Sequence, residues 1–247
     1  MERNSAILEI AANSLASALA AQEGGADRIE LCAALEVGGL TPSYAQVALT
    51  RERVRIPIYA LIRPRTGDFV YSDSECETMQ RDIETCASLG CDGVVIGALD
   101  EDGAVDAARC RALIAAAGKL GVTFHRAFDM SRDPRAALED IISLRCERVL
   151  TSGAQADALS GAALIAKLVA QAAGRISVMP GAGVNAQNIA GLRALTGARE
   201  FHASAKRELR SRMRAGNSLP GMTAGEVLSD VEQVRALVAA LNSATGI

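Results

Sequence analysis

Residues Gly25-Ala26-Asp27-Arg28-Ile29 lead from the end of a predicted helix into a predicted strand. The same order recurs three times: a helix exit, a small residue, a polar pair and then a strand entry. The recurrences are Gly90-Cys91-Asp92-Gly93-Val94, Arg145-Cys146-Glu147-Arg148-Val149 and Gly197-Ala198-Arg199-Glu200-Phe201. The four copies precede the second, fourth, sixth and eighth predicted strands. This weak repeat indicates four related βαβα units.

Around these copies, short apolar runs alternate with longer segments of helical period, which is typical of a parallel sheet with crossover helices. A doubly wound open sheet is the rival fold, but residues 11–14, in the first turn after a strand, lack its glycine-rich fingerprint. Eight strands are predicted, at residues 7–11, 28–32, 56–62, 93–99, 122–128, 148–151, 176–179 and 200–203. Helices are predicted between them, for example at 106–117, 134–144 and 159–172.

The number of strands and the length of the chain both suit a barrel. A (β/α)8-barrel needs about 250 residues, and the chain has 247. The sequence therefore predicts the α/β class, as a (β/α)8 TIM barrel in a single domain over 1–247. Barrel strands and helices are expected over 1–206. A basic loop and a C-terminal helix, the latter at 224–241, are expected within 207–247.

Composition excludes several classes of function. Hydrophobic residues make up 49% of the chain and aromatics only 3%, so Ala, Val, Ile and Leu must fill the core. The formal net charge of −3 gives no footprint for nucleic acid or an anionic membrane. No apolar run is long enough to span a bilayer. Six cysteines without a C-x-x-C pair, and a start without a secretory leader, predict a reducing cytoplasm.

Charged and imidazole side chains interrupt the predicted strands. Such groups are costly to bury without partners, and the carboxyl ends of barrel strands meet at one mouth, where active sites lie. One such residue alone would more often be a structural ion pair or a core histidine. Several together predict a catalytic set of Glu9, Glu30, Arg63, His125, Arg126, Asp129 and His202. Glu9 or Glu30 would be the base, His125 or His202 the acid, and Arg63 the electrostatic clamp.

A glycine-rich turn predicts an anion site beside this set. Met179-Pro180-Gly181-Ala182-Gly183-Val184-Asn185 is expected to open the helix after strand seven, where barrels commonly hold phosphate. Tight turns also need glycine, so the place in the strand order carries this interpretation. The loop at 63–72 holds two arginines and two aromatics, which favours a lid over the mouth. The predicted anion-binding residues are Arg65, Ser152, Gly181, Gly183 and Ser204.

Four motifs lie in order along the chain. They are Gly25-Ala26-Asp27-Arg28-Ile29-Glu30-Leu31-Cys32, Ile62-Arg63-Pro64-Arg65, Thr123-Phe124-His125-Arg126-Ala127-Phe128-Asp129 and Arg148-Val149-Leu150-Thr151-Ser152-Gly153. Together they resemble the copper homeostasis protein CutC family, with the family's spacing. The resemblance implies a (β/α)8-barrel, a cytoplasmic location, self-association as a dimer or tetramer, and copper handling through copper(I) thiolates.

The resemblance implies Cys32 as the metal ligand, because it matches the cysteine that ends the family's Ile-Glu-Leu-Cys motif. Related members often carry a second cysteine at the end of the first strand, where this chain has Ala11. Copper(I) prefers two or more soft ligands. Cys32 would therefore need a remote thiol, a methionine or a partner subunit. Read as a small buried hydrophobe, it would need none of these.

Two functions follow from the sequence. The first is a cytoplasmic CutC-like protein that acts in copper homeostasis by binding copper ion. The second is a TIM-barrel enzyme that acts on a small phosphorylated or carboxylated metabolite by general acid–base catalysis at the barrel mouth. The residues leave open whether the protein is an enzyme, and a scaffold without a ligand is a third class. The number of polar groups inside strands speaks against the scaffold.

Overall fold

The computed structural model describes residues 6–211, 213–214 and 225–243. Strands and helices alternate along the chain. The strands are β1 Ile7–Ala12, β2 Arg28–Leu31, β3 Ile58–Leu61, β4 Gly93–Ile96, β5 Gly121–Phe124, β6 Arg148–Thr151, β7 Ser177–Pro180, β8 Glu200–Ala203, β9 Lys206–Leu209 and β10 Glu226–Ser229. The helices are α1 Leu15–Gly24, α2 Tyr44–Arg53, α3 Asp73–Ser88, α4 Ala107–Ala117, α5 Pro134–Ser143, α6 Ala162–Ala172, α7 Ile189–Thr196 and α8 Val231–Ser243. Short 3-10 helices cover Leu35–Val37 and Arg126–Met130.

Within these residues, eight parallel strands form one sheet in the order β7-β6-β5-β4-β3-β2-β1-β8. β7 and β8 contact each other and bring the two edges together. Consecutive parallel strands joined by helices are the (β/α)8 arrangement. The predicted α/β class and TIM-barrel fold are therefore confirmed. β9 and β10 form a separate antiparallel pair.

The main error of the sequence-based prediction concerns the fifth strand. It was expected to reach residue 128, but β5 ends at Phe124. His125 ends it by capping the 3-10 helix Arg126–Met130, because its side chain accepts a hydrogen bond from the Ala127 backbone N–H. The chain turns at this point, so Arg126 and Asp129 lie on this 3-10 helix, beyond the end of β5.

The C-terminal segment also differs from the prediction of one helix at 224–241. β10 comes first and pairs with β9, and α8 begins only at Val231. Residue 224 and part of the predicted basic loop lie outside the described residues. α8 packs against α1 and α7. Among the residues described, no helix combines the length and apolar character needed to cross a bilayer.

The two faces of each strand lie in different environments, because successive side chains point alternately outward, towards the helices, and inward, into the barrel. Leu8, Ile10 and Ile29 point outward and join the apolar layer under the helices. The inward positions carry polar groups. Glu9 on β1 is aligned with Arg28 on β2 and with His202 on β8, which puts all three inside the barrel.

The amino-terminal end of the barrel is filled by an ionic network. Arg28 and Arg148 both donate to Oε2 of Glu200, over 2.7 and 3.1 Å. The Tyr59 ring lies against both guanidinium groups, with its centroid 5.2 and 4.7 Å from their carbon atoms. Gly93 leaves room for this ring, since a Cβ there would lie 2.1 Å from it. The pairing of charges at this end stabilises the closed barrel.

We expect Glu200→Gln to lower the free energy of unfolding by about 2 kcal/mol, because it removes the carboxylate that Arg28 and Arg148 share, and a hydrogen bond to a charged group is worth about 1.5–3 kcal/mol. Arg28 still pairs with Glu9 in this variant, and Arg148 with Glu147. Denaturant unfolding followed by circular dichroism measures the change. Glu139→Gln is the matched control, since Glu139 pairs with Arg175 in solvent, and its effect should be far smaller. Equal losses in the two variants would contradict a structural role for the network.

Candidate functional site

A cavity of about 770 Å³ lies at the carboxyl ends of the strands. Its wall contains eight of the residues predicted from sequence: Glu30, Arg63, His125, Arg126, Asp129, Gly183, His202 and Ser204. Five other predicted residues are not part of this wall: Glu9, Cys32, Arg65, Ser152 and Gly181. The geometry brings together groups from β2 and β8 and from the segments that follow β3, β5 and β7.

Three of the groups on the wall have buried polar atoms without a partner. Six such atoms occur in the part of the chain that the structure describes, and Glu30 Oε2, Arg63 Nε and His125 Nε2 are among them. Their residues are only 6%, 8% and 5% exposed. A buried polar atom without a partner costs about 1–3 kcal/mol, and more when the group is charged. Three of them around one cavity indicate a ligand.

Arg63 carries a positive charge that its neighbours do not neutralise. Its guanidinium donates to the backbone carbonyls of Val37 and Gly39, both over 3.0 Å, and of Gly67 over 3.1 Å. It also lies over the Phe69 ring, 5.2 Å from the centroid. These acceptors fix the guanidinium in place but are uncharged. A buried cation held this way attracts an anion into the cavity.

His125 is held as a neutral donor. Its Nδ1 accepts a hydrogen bond of 3.1 Å from the Ala127 backbone N–H, so the proton of the neutral ring is on Nε2. Burial, with a smaller contribution from the nearby Arg63 charge, lowers the pKa of His125 to about 3. Gly97 makes room for the ring, since a Cβ there would lie 2.5 Å from it. The free Nε2–H is suited to donate to a ligand oxygen.

Glu9, His202 and Glu30 form a second group. Glu9 is fully buried; its Oε1 contacts His202 Nδ1 at 2.8 Å, and its Oε2 accepts from Arg28. Burial alone would raise the pKa of Glu9, but the charges of Arg28 and His202 lower it to about 2. Burial raises the pKa of Glu30 to about 7, even though His202 acts against this. The Glu30 and Glu9 carboxylates raise the pKa of His202 despite its burial.

Asp129 and Ser152 form a rigid support beside the cavity. The Asp129 carboxylate accepts hydrogen bonds from the Thr151 and Ser152 hydroxyls and from the backbone N–H groups of Ser152 and Ala154. Arg126 donates to Asp129 over 2.8 Å and to the Ser152 hydroxyl over 3.0 Å. These contacts use the acceptor positions of Asp129. Asp129 therefore holds Arg126 and the segment after β6 in position on the cavity wall.

The glycine-rich turn lies at the cavity, but the helix does not begin there. α7 begins at Ile189, with Asn188 as its N-cap residue, so residues 181–188 form a loop. The Gly183 carbonyl accepts from the side-chain amides of Asn185 and Asn188, which stiffens this loop. Gly181 lies below the wall, where a Cβ would meet Leu150 and His202. Gly183 and Ser204 remain at the surface of the cavity.

Arg65 points away from the predicted site. It pairs with Glu75 and Asp68 and donates to the Val70 carbonyl over 2.8 Å, so its charge is balanced on the loop that it supports. Its guanidinium also lies over the Tyr71 ring. The two arginines of this loop therefore differ. Arg63 is buried at the cavity, whereas Arg65 fixes the loop from outside.

Cys32 directly follows β2 and is fully buried, but it is not among the residues that line the cavity. It packs with Tyr59, Leu61 and Val95 in an apolar cluster. Burial, with a smaller effect of Glu30, raises the pKa of the Cys32 thiol far above its ordinary value. This cluster supplies no second thiol or thioether, and Ala11 on β1 offers none. The residues around Cys32 therefore do not fit a copper(I) site, which needs soft ligands in pairs.

Sequence reasoning missed the ionic network at the amino-terminal end of the barrel, of which Arg28 contacts Glu9. Arg28, Arg148 and Glu200 are the first residues of three strands, and we had assigned them no role. Their signal was parity: Arg28 has the same parity as Glu30, and Glu200 the same as His202, so each pair faces the interior. Lys206 and Gln233 also line the cavity. Lys206 begins the basic stretch of the C-terminal segment, whereas nothing in the sequence pointed to Gln233.

The fold and the cavity define a (β/α)8-barrel with a polar cavity at the carboxyl ends of its strands. The sequence pattern of the CutC family matches residues 6–207, so the chain belongs to the CutC family.

Relatives and a solved structure support this membership. A family protein CutC of Xylella fastidiosa is 59% identical over 239 residues, covering 96% of this chain and 90% of that protein. The human copper homeostasis protein cutC homolog is 47% identical over 241 residues, covering 95% and 88%. The crystal structure of the putative copper homeostasis protein CutC from Streptococcus agalactiae gives a TM-score of 0.77 at 31% identity. It covers 80% of this chain and 97% of its own.

We expect the His125 ring to remain neutral in the folded protein down to about pH 3, because burial lowers its pKa to about 3. In the unfolded chain the ring takes up a proton below about pH 6.5. Acidification from pH 6.5 towards 3 therefore lowers the free energy of unfolding, because the unfolded chain binds a proton at this residue and the folded protein does not. NMR of the two histidine rings measures the protonation of His125 as a function of pH, and comparison with His125→Gln assigns its signal. A His125 signal that titrates near pH 6.5 would contradict the assignment.

Proposed function

We propose that the barrel mouth binds a small carboxylated or phosphorylated metabolite and exchanges a proton with it. One observation carries this proposal: Glu30 Oε2, Arg63 Nε and His125 Nε2 are buried, lack partners and belong to residues of one cavity wall. A ligand with an anionic group and a hydrogen-bonding oxygen would satisfy all three. This corresponds to the enzyme alternative, with the reaction still unassigned.

Each group has a distinct role in this proposal. Arg63 is the electrostatic clamp for the anion, since its own acceptors are neutral carbonyls. His125 donates its Nε2–H to a ligand oxygen. Glu30 has a free carboxyl oxygen at the cavity and is the group placed to accept or give a proton. Glu9 acts behind the wall and holds the ring of His202.

The opposite side of the cavity supports an anion as well. Gly183 and Ser204 line the wall after β7 and β8, where barrels commonly bind phosphate. Lys206 and Arg126 add basic side chains to the same wall. Ser152 and Asp129 position Arg126 through their hydrogen bonds to it. Arg65 and Gly181 would act only through the loops that they belong to.

Copper handling is the second candidate function. The names of the human and streptococcal relatives support it. The apolar surroundings of Cys32 do not provide the soft ligands of copper(I), so we derive no copper(I) step at that residue.

We also propose a cytoplasmic, homo-oligomeric protein, a dimer or tetramer. The free state of the cysteines and the exposed Tyr44 and Leu49 on α2 agree with this.

We expect the wild-type protein to bind inorganic phosphate or malonate, and Arg63→Gln to weaken this binding by about tenfold or more, since a charged hydrogen bond is worth about 1.5–3 kcal/mol. Isothermal titration calorimetry measures it, followed by a screen of carboxylates and phosphate esters. Arg65→Gln is the control, because this neighbouring arginine is outside the cavity wall. Equal affinities in the two variants would remove the basis of the proposal.

A second change tests His125 without altering any polar group. Gly97→Ala would place a methyl group 2.5 Å from the ring, so the ring must move. We expect this variant to lose affinity for the ligand found in the screen, with little change in its far-UV circular dichroism. Gly118→Ala is not a suitable control because its φ is positive, but Gly191→Ala adds a methyl group with open space around it. Unchanged affinity in Gly97→Ala would contradict the role of His125.

A further inference from the structure

Glu9, Glu30 and His202 form a compact group of potential metal ligands. One oxygen from each carboxylate and one imidazole nitrogen all lie within 4.8 Å of one another. The three residues come from three different strands, which fixes their spacing by the sheet rather than by flexible loops. Such a group on rigid strands is preorganised for a small cation.

Ion pairing explains Glu9 but not Glu30. Both oxygens of Glu9 are used, one by His202 and one by Arg28. Glu30 has an unpartnered oxygen, although the residue is more than nine-tenths buried. It stands close to a second carboxylate, so the two negative charges repel each other. A buried carboxylate with an unpartnered oxygen in this position is typical of a side chain that binds a cation.

The contact between Glu9 and His202 has the form of a support for a metal ligand. A ligating histidine commonly donates its other ring N–H to a carboxylate, which fixes the tautomer and the ring orientation. Here Glu9 Oε1 accepts from Nδ1 of the neutral ring, which leaves the lone pair on Nε2. Arg28 in turn holds Glu9. His202 and the free oxygen of Glu30 are thus available together.

We propose that this group binds one divalent cation, with Glu30 and His202 as direct ligands and Glu9 as the carboxylate that orients His202. Carboxylate oxygen and imidazole nitrogen suit Mn²⁺, Zn²⁺ or Cu²⁺ and do not suit copper(I). Glu30 and His202 also line the cavity, so the remaining coordination positions would face it. There they would be open to water or to an oxygen of a bound anion.

The cation needs only these three side chains and does not require the metabolite of the proposed function. A cation and a proton compete for Glu30 and His202, since both ligands bind a cation only when deprotonated. Cation-bound protein would therefore keep the anion clamp at Arg63 but lose Glu30 as a proton acceptor. Metal binding and anion binding can be measured separately, so either can fail alone.

The test uses the full-length protein, stripped of metal with a chelator and then dialysed. Calorimetric titration with Mn²⁺, Zn²⁺ and Cu²⁺, each alone, should show one cation per chain for at least one of them. Glu30→Gln and His202→Gln should each weaken this binding by at least about tenfold. Thermal melting of each variant checks that it is folded, and the conservative Glu30→Asp should retain part of the affinity if Glu30→Gln unfolds.

Two controls locate the site. Cys32→Ser removes the buried thiol that follows β2, and Glu36→Gln removes an exposed carboxylate. Both should bind the cation as the wild type does. Absence of stoichiometric binding to the wild type would overturn the proposal, as would equal affinity in folded Glu30→Gln. Loss of binding in Cys32→Ser alone would assign the metal to the thiol instead and would equally overturn it.

Discussion

Glu9 holds the two ends of the barrel together. One carboxylate oxygen accepts from Arg28, and the other contacts His202, so a single side chain joins the ionic network below to the cavity above. The side chain is fully enclosed, which removes water as an alternative partner. A charge in that place is tolerable only because both oxygens are satisfied. The orientation of His202, and with it the upper site, depends on this contact.

The two poles treat their polar groups differently. At the lower pole, Arg28, Arg148 and Glu200 satisfy one another, and Tyr59 covers them. At the upper pole, Glu30, Arg63 and His125 each keep an unpartnered atom. A protein gains nothing in stability from such atoms, so three of them on one cavity wall are best explained by a ligand. The division agrees with the common rule that barrels keep their chemistry at the carboxyl ends of the strands.

Much of the fold could be predicted because it depends on local patterns. Strands six and eight matched their predicted bounds, since apolar runs and preceding turns mark them clearly. The fifth strand was predicted too long because nothing local shows that His125 will cap a 3-10 turn. The site was predicted in outline from the ends of strands. Its details depend on which side chains meet across the barrel, and this is set by the stagger of the strands, which one sequence does not display. Arg65 and Arg63 look alike in sequence, yet only Arg63 turns inward.

The C-terminal segment has a consequence for the order in which the molecule is made. β1 pairs with β8, and beyond it the Ser229 hydroxyl donates to the Ala11 carbonyl while the Ser229 N–H donates to the Ser17 hydroxyl. β1 thus has one neighbour early, β2, but receives the other, β8, only after the other barrel strands have been synthesised. Until then its polar edge is open to solvent or to a chaperone. Ring closure is therefore the last step in forming the barrel, because it waits for β8.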